Sequence, residues 1–210
     1  MARCWLSDQP HEVTVGPFYM DAVEMPGFET SEEHQKECPT KSVDCPTTWF
    51  PSSHVSHANE HCAKAGKRLP TEAEWEFAAT AGGTRTDPWG EDAPTCEAAN
   101  FNVEQCGHFG VEIGRFPPSP DGLYDMAGNV AELVLPRGDD DYHGDEYTED
   151  YPPPGIVDGI EDPQNCGWSP CVERIFRGGC DESEPHELRG AHRVLHWAVD
   201  SKGFRCVRDP

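Results

Sequence analysis

The stretch Leu69-Pro-Thr-Glu-Ala-Glu-Trp-Glu-Phe-Ala-Ala79 carries the strongest local structural signal in this chain of 210 residues. Thr71 and Glu74 have the T-x-x-E spacing of a capping box, in which each side chain satisfies a free backbone N–H of the first helical turn. Trp75, Ala78 and Ala79 follow at i, i+3 and i+4, so they share one helix face. The stretch therefore predicts a short helix that docks an apolar face on a core.

The segments around this helix indicate a loop-rich α+β fold in a single domain over residues 1–210. Residues 53–65 predict a second helix, closed by Gly66 just past its end. Residues 11–21 alternate like a strand, and residues 174–179 and 202–207 are typical of short core strands. Residues 139–163 hold ten carboxylates around three consecutive prolines, which predicts a solvated acidic insertion loop.

Charge and composition exclude several classes of protein. The chain has 16 Lys and Arg against 39 Asp and Glu, a net charge of −23, which repels a nucleic-acid backbone. No apolar stretch approaches the roughly 18 residues of a membrane-spanning helix. With 6 Trp, 9 Phe and 5 Tyr, the chain has enough large anchors to fold, although only 36% of its residues are hydrophobic.

The ten cysteines point to an oxidising compartment. None forms a C-x-x-C pair, which disfavours a zinc ribbon or a thioredoxin-type motif. Spread singly, they predict disulfides, with reduced buried thiols as the alternative. Because the chain opens without the apolar core of a signal peptide, we expect an N-terminally truncated, extracytoplasmic domain whose export signal lies upstream.

Seven short phrases occur in a fixed order along the chain. They are residues 65–76 (AGKRLPTEAEWE), 88–90 (PWG), 99–101 (ANF), 116–118 (FPP), 122–132 (GLYDMAGNVAE), 177–179 (RGG) and 203–205 (GFR). Together they resemble the sulfatase-modifying factor family, whose namesake is the formylglycine-generating enzyme. The resemblance runs from about His11 to the C-terminus and implies the C-type-lectin-like fold of that family, although the family's opening Gly-Gly-x-Phe-x-Met-Gly phrase is absent.

The resemblance implies two stabilising devices, a disulfide and a structural Ca²⁺. The disulfide pairs Cys62 with Cys206; closeness in sequence further suggests Cys38–Cys45, Cys96–Cys106 and Cys166–Cys171, which leaves Cys4–Cys180. The calcium loop is carried over onto Asp125, Gly128, Val130 and Glu132, which mix side-chain and carbonyl oxygens as hard cations require. Spacing alone favours a plain turn with Asp125 and Glu132 facing water, and only the resemblance favours calcium. A second family site begins at Asn100 and Phe101, but its downstream acidic position falls near Gln105 or Gly107.

The catalytic centre of the family is not matched. Formylglycine-generating enzymes bind Cu(I) through two cysteines five residues apart, the first lying four residues beyond the Gly-Gly. Those positions are Ser183 and Leu188 here, and Cys180 has no partner at that spacing. We therefore expect no copper and no catalytic residue, and we predict a non-catalytic exported module that binds an unidentified ligand or protein surface.

Residues 180–202 form the candidate recognition groove, with Ser183, His186, Arg189, His192, Arg193, His196 and Trp197 as its candidate residues. Three of its histidines suggest an alternative, a non-haem-iron or formylglycine-generating-type oxidoreductase, because histidine with carboxylate suits iron or zinc. Arg189 and Arg193, with Trp197, can instead bind an anionic or aromatic group, while Arg193 is equally the family's buried structural arginine. His54, His57 and His61 have helical spacing suited either to a metal or to a solvated surface.

Overall fold

The computed structural model describes residues 13–25, 55–106, 111–135, 175–195 and 202–210. The expectations for the acidic insertion at 139–163, for Cys38–Cys45 and Cys166–Cys171, and for His54, His196 and Trp197 lie outside these residues, as does the side chain of His57.

Both predicted helices form. Helix α1 spans Val55–Lys64, and Gly66 beyond its end has a φ of 69°. Helix α2 spans Glu72–Thr80 and begins with the predicted capping box: the Glu74 N–H donates to Thr71 Oγ1 at 3.2 Å, and the Thr71 N–H donates to Glu74 Oε2 at 2.8 Å. Trp75 and Ala79 are fully buried, so the apolar face docks as expected. A single turn, α3, follows at Val103–Cys106.

A four-stranded sheet forms the centre of the fold, in the order β4-β3-β2-β5. Its strands are β2 (Ala131–Val134), β3 (Ile175–Arg177), β4 (Arg193–Leu195) and β5 (Lys202–Gly203). Strand β2 pairs antiparallel with β3 and parallel with β5. All four residues of β2 are buried, and this central strand was not predicted because Glu132 interrupts its apolar run.

A second, two-stranded ribbon joins the beginning and the end of the chain. Strand β1 is Tyr19–Met20 and pairs antiparallel with β6, Val207–Arg208. The strand expected over 11–21 is therefore wrong in its extent, because residues 13–18 form no strand.

The buried apolar residues include three clusters that bring distant segments together. Cys62, Phe176, Phe204 and Cys206 belong to the first, and Trp75, Met126 and Ile175 to the second. The third joins Ala99, Phe101, Ala127 and Leu188, and so fixes the candidate calcium segments against the candidate groove.

Two disulfides occur among the described residues, at the pairings expected. Cys62 and Cys206 are 144 residues apart with a Cα–Cα distance of 5.6 Å, and Cys96–Cys106 spans 10 residues at 5.4 Å. Cys180 is a free, buried thiol, so the expected pairing Cys4–Cys180 is wrong. No helix in the described part of the chain is long and apolar enough to cross a membrane.

Candidate functional site

The loop from Asp125 to Glu132 is held in a conformation that only a glycine permits at its centre. Asp125, Gly128 and Asn129 all have positive φ angles, of 51°, 77° and 61°. A Cβ atom on Gly128 would lie 2.1 Å from the backbone oxygen of Asn100. Because no side chain fits there, the loop packs directly on the segment that begins at Asn100, and the Asn129 N–H donates to that same oxygen at 2.8 Å.

The two carboxylates of this loop are buried. Asp125 is 8% exposed and Glu132 is 1% exposed, so the plain turn with both facing water is wrong. Asp125 Oδ2 accepts the Gly114 N–H at 2.5 Å, while burial raises the pKa of the Asp125 carboxyl. Glu132 forms an ion pair with Arg205 and accepts the indole N–H of Trp75 at 2.6 Å.

Glu24 is a third buried carboxylate beside this loop, and no motif in the sequence marks it. It is 1% exposed, and its Oε1 accepts the Asn129 side-chain N–H at 2.5 Å. Burial raises the pKa of Glu24 well above its usual range, and the charges of Asp125 and Glu132 raise it further, whereas Arg205 opposes them.

Asn129 connects Glu24 to the second candidate calcium segment. Its Oδ1 accepts from the Asn100 side chain at 3.3 Å and from the Val111 N–H at 3.0 Å. Two buried oxygens beside it, Glu24 Oε2 and Asn100 Oδ1, have no hydrogen-bond partner within the described residues. Leaving a buried acceptor unsatisfied costs about 1–3 kcal/mol, which favours an additional partner at this place.

The charges of this cluster suit a divalent cation. Glu24, Asp125 and Glu132 face one guanidinium, that of Arg205, so the cluster has three negative charges against one positive charge when all are ionised. No three His, Cys, Asp or Glu side chains in the described ranges converge closely enough to hold a metal by themselves. A calcium ion here would therefore depend on the carbonyl oxygens of Gly128 and Val130 as well, which is the mixed ligand set that Ca²⁺ accepts.

The two positions expected to carry copper-binding thiols are used for packing. Ser183 is buried, and its Oγ accepts the Cys180 N–H at 3.0 Å, closing a tight turn. Leu188 is fully buried in the cluster with Ala99 and Phe101. Burial raises the pKa of the Cys180 thiol to about 11, so this thiol holds its proton at neutral pH.

Three other groove residues lie nearer to solvent. His186 and Arg189 are exposed and His192 is half-buried, with the two histidine rings at a centroid distance of 6.2 Å and nearly perpendicular. Burial lowers the pKa of His192, which favours the neutral ring. The Arg189 Nε–H donates to the carbonyl oxygen of His186 at 3.1 Å, so these residues form one short exposed surface.

The arginines behind the groove are engaged in the fold. Arg193 forms an ion pair with Glu72 on α2. Arg177, which is 1% exposed, lies against Glu72 and Glu76 and donates to the carbonyl oxygen of His192 at 3.1 Å. Arg177 and Arg205 were not predicted as buried charges, although they belong to the RGG and GFR phrases that carry the family resemblance.

Comparison with known proteins gives one consistent result. The family described as "Sulfatase-modifying factor enzyme 1-like domain" matches residues 7–210. A serine/threonine-protein kinase, pkn1 of Chlamydia pneumoniae, is 40% identical over 166 residues, which cover 77% of this chain and 23% of the kinase. The formylglycine-generating enzyme of Mycobacterium tuberculosis is 33% identical over 168 residues, covering 70% of this chain and 52% of the enzyme.

Two solved structures share the fold. PvdO from Pseudomonas aeruginosa aligns with a TM-score of 0.59 at 23% identity, covering 92% of this chain and 81% of that one. CarF aligns with a TM-score of 0.58 at 19% identity, covering 95% and 88% respectively. The chain thus spans about a quarter of the kinase relative and about half of the enzyme relative.

Proposed function

This chain belongs to the sulfatase-modifying factor family, and on that premise we propose that it is a non-catalytic, exported module that binds a ligand or a protein surface. The observation that carries the proposal is the use of Ser183 and Leu188 as a turn cap and a core residue, where the resemblance places the two copper thiolates. Cu(I) is held by soft thiolate ligands, which neither side chain supplies.

The exposed part of the groove is the proposed recognition surface. It presents the side chains of His186, Arg189 and His192 on a rigid base, since the neighbouring Leu188 is fixed in the core. These side chains offer hydrogen-bond donors and a positive charge on a chain with a net charge of −23, which favours a ligand with acceptor or anionic groups. In the kinase relative a similar domain is one part of a longer chain, which supports an accessory binding role.

We also propose that Ca²⁺ stabilises the scaffold together with the disulfides. Asp125, Glu132 and the carbonyl oxygens of Gly128 and Val130 would hold the ion, with Asn100 and Phe101 beside them. The bound ion supplies positive charge to a buried acidic cluster. Glu132 can share its oxygens with the ion, because a carboxylate has about four acceptor positions and the donors of Arg205 and Trp75 use three. An extracytoplasmic compartment suits both disulfides and calcium.

An assay of cysteine oxidation tests the non-catalytic proposal. The purified chain is loaded with Cu(I) and mixed with oxygen and a cysteine-containing sulfatase peptide, and aldehyde is measured by mass spectrometry and hydrazone formation. The Mycobacterium tuberculosis enzyme serves as the positive control. We expect no aldehyde above the level of peptide with copper alone, and oxygen-dependent conversion would overturn the proposal.

Metal analysis after purification without chelator separates the proposal from the iron-enzyme alternative, which the adjacent rings of His186 and His192 support. We expect calcium and no stoichiometric iron. Iron at one equivalent, lost in a His186→Ala/His192→Ala double variant, would favour an oxidoreductase.

A further inference from the structure

Glu24 lies where the beginning of the chain meets the proposed calcium loop. The backbone on either side of it is fixed: the Asp21 N–H donates to the Cys206 oxygen at 3.0 Å, and the Met25 N–H donates to the Phe204 oxygen at 2.7 Å. The Tyr124 N–H donates to the Ala22 oxygen at 2.8 Å. Residues 21–25 are therefore attached both to the segment that carries Arg205 and to the start of the loop.

The carboxylate of Glu24 is only half satisfied. Asn129 holds its Oε1, while its Oε2 is buried without a hydrogen-bond partner in the described part of the chain. Arg205, the nearby cation, directs its donors elsewhere: to Glu132 and to the carbonyl oxygens of Asp21 and Tyr124. An ionised carboxylate in such a place is costly unless a further positive charge compensates it.

We infer that Glu24 is a positioning residue for the calcium loop, whose buried negative charge strengthens cation binding and couples the bound cation to residues 21–25. This inference rests on the calcium site proposed above. Glu24 acts through the electrostatic field and through Asn129, rather than as a direct ligand, because the described acidic side chains do not converge on one point. A divalent cation would neutralise the cluster, since three ionised carboxylates against Arg205 leave an excess of two negative charges.

Glu24→Gln tests the inference, because it removes the charge and keeps an oxygen to accept from Asn129. Asp21→Asn is the matched control: it makes the same charge change in the same segment, but its Oδ1 pairs with Lys67 at 2.5 Å. Calcium binding to the chelator-stripped chains is measured by isothermal titration calorimetry. We expect Glu24→Gln to weaken binding about 10-fold or more, since opposite charges interact strongly where water is excluded, and Asp21→Asn to stay within about 2-fold.

Thermal unfolding provides a readout that a merely structural role would not produce. In EDTA we expect Glu24→Gln to melt roughly 2–4 °C above the parent chain. The buried carboxyl must either take up a proton or stay charged without a compensating cation, and an amide requires neither. In saturating calcium the order should reverse. A structural hydrogen-bonding role predicts instead that the variant melts lower in both conditions, or fails to fold in EDTA, and either result would overturn the inference.

Amide hydrogen exchange tests the coupling to residues 21–25. Calcium should slow exchange at the amides of Asp21 and Met25 in the parent chain and have a smaller effect in Glu24→Gln. If the parent chain binds no calcium, the calcium site of the proposed function fails. If it binds calcium with equal affinity in parent and Glu24→Gln, only the role of Glu24 fails.

Discussion

The loop at 125–132 and the segment at 180–192 are two turn-rich regions that pack on the same stretch, residues 99–101, yet they differ in charge. The loop carries two buried carboxylates, Asp125 and Glu132, against one cationic partner, Arg205. Beside it, Glu24 Oε2 and Asn100 Oδ1 have no hydrogen-bond partner in the described part of the chain. In the segment, a serine caps a turn and a leucine fills the core. The difference is one of buried charge: the first region has an excess of carboxylates, whereas neutral side chains occupy positions 183 and 188 of the second.

The largest effect should come from removing Arg205, the buried guanidinium that pairs with Glu132 of the loop. Arg205→Met leaves Glu132 buried beside two other carboxylates, and we expect a loss of about 3–5 kcal/mol in the free energy of unfolding. Urea denaturation in calcium and in EDTA measures it, with a greater loss in EDTA. The control is Arg208→Met, which removes only an exposed guanidinium stacked on Tyr19 and should cost less than about 1 kcal/mol. If Arg205→Met and Arg208→Met lowered the free energy of unfolding equally, the buried carboxylates would not depend on Arg205, and the contrast in buried charge between the two regions would be wrong.

A smaller effect is expected from emptying the core position of the segment. Leu188→Ala should cost about 2–5 kcal/mol, because Leu188 is fully buried and its removal leaves a cavity. His186→Ala, two residues away on the exposed side of the same 3₁₀ turn, should change stability by less than about 0.5 kcal/mol. Neither variant should change calcium affinity by more than about 2-fold. A large loss of calcium binding in Leu188→Ala would show that the two regions are not separable.

The smallest effect is the pH dependence that Cys180 contributes. Burial raises the pKa of its thiol from an ordinary 9.0 to about 11, so the folded chain holds this proton more tightly than the unfolded chain does. The stabilisation is complete below pH 9 and is lost as the pH rises towards 11. Between pH 9 and pH 10 we expect the parent chain to lose about 1 kcal/mol more than Cys180→Ala does. Parallel losses in the two chains would contradict the assignment.

Local signals in the sequence predicted those elements that local interactions determine. Helix α2 was predicted to within a residue because Thr71 and Glu74 cap it from inside the same turn. Strand β2 was missed because its four residues are all buried and include Glu132, whose partner Arg205 lies 73 residues away in the chain.

The candidate site likewise has one part that the sequence suggests and another that only the folded chain brings together. The resemblance brought Asp125 and Glu132 to attention, but their burial depends on the whole fold. Glu24 has no local motif: its partner Asn129 is 105 residues away, and only the folded chain places the two together. The family resemblance can therefore suggest the loop, whereas the charges that surround it require the three-dimensional structure.

The disulfide between Cys62 and Cys206 has a consequence for how the chain responds to proteases. Most of the polypeptide, including the acidic stretch at 139–163, lies within the covalent ring that this bond closes. A single cut at any peptide bond inside the ring leaves two fragments that remain joined, so the mass of the protein changes only by one water molecule until a reductant is added. On a denaturing gel, nicked molecules should therefore separate into smaller fragments only after reduction, whereas intact molecules should stay at full size.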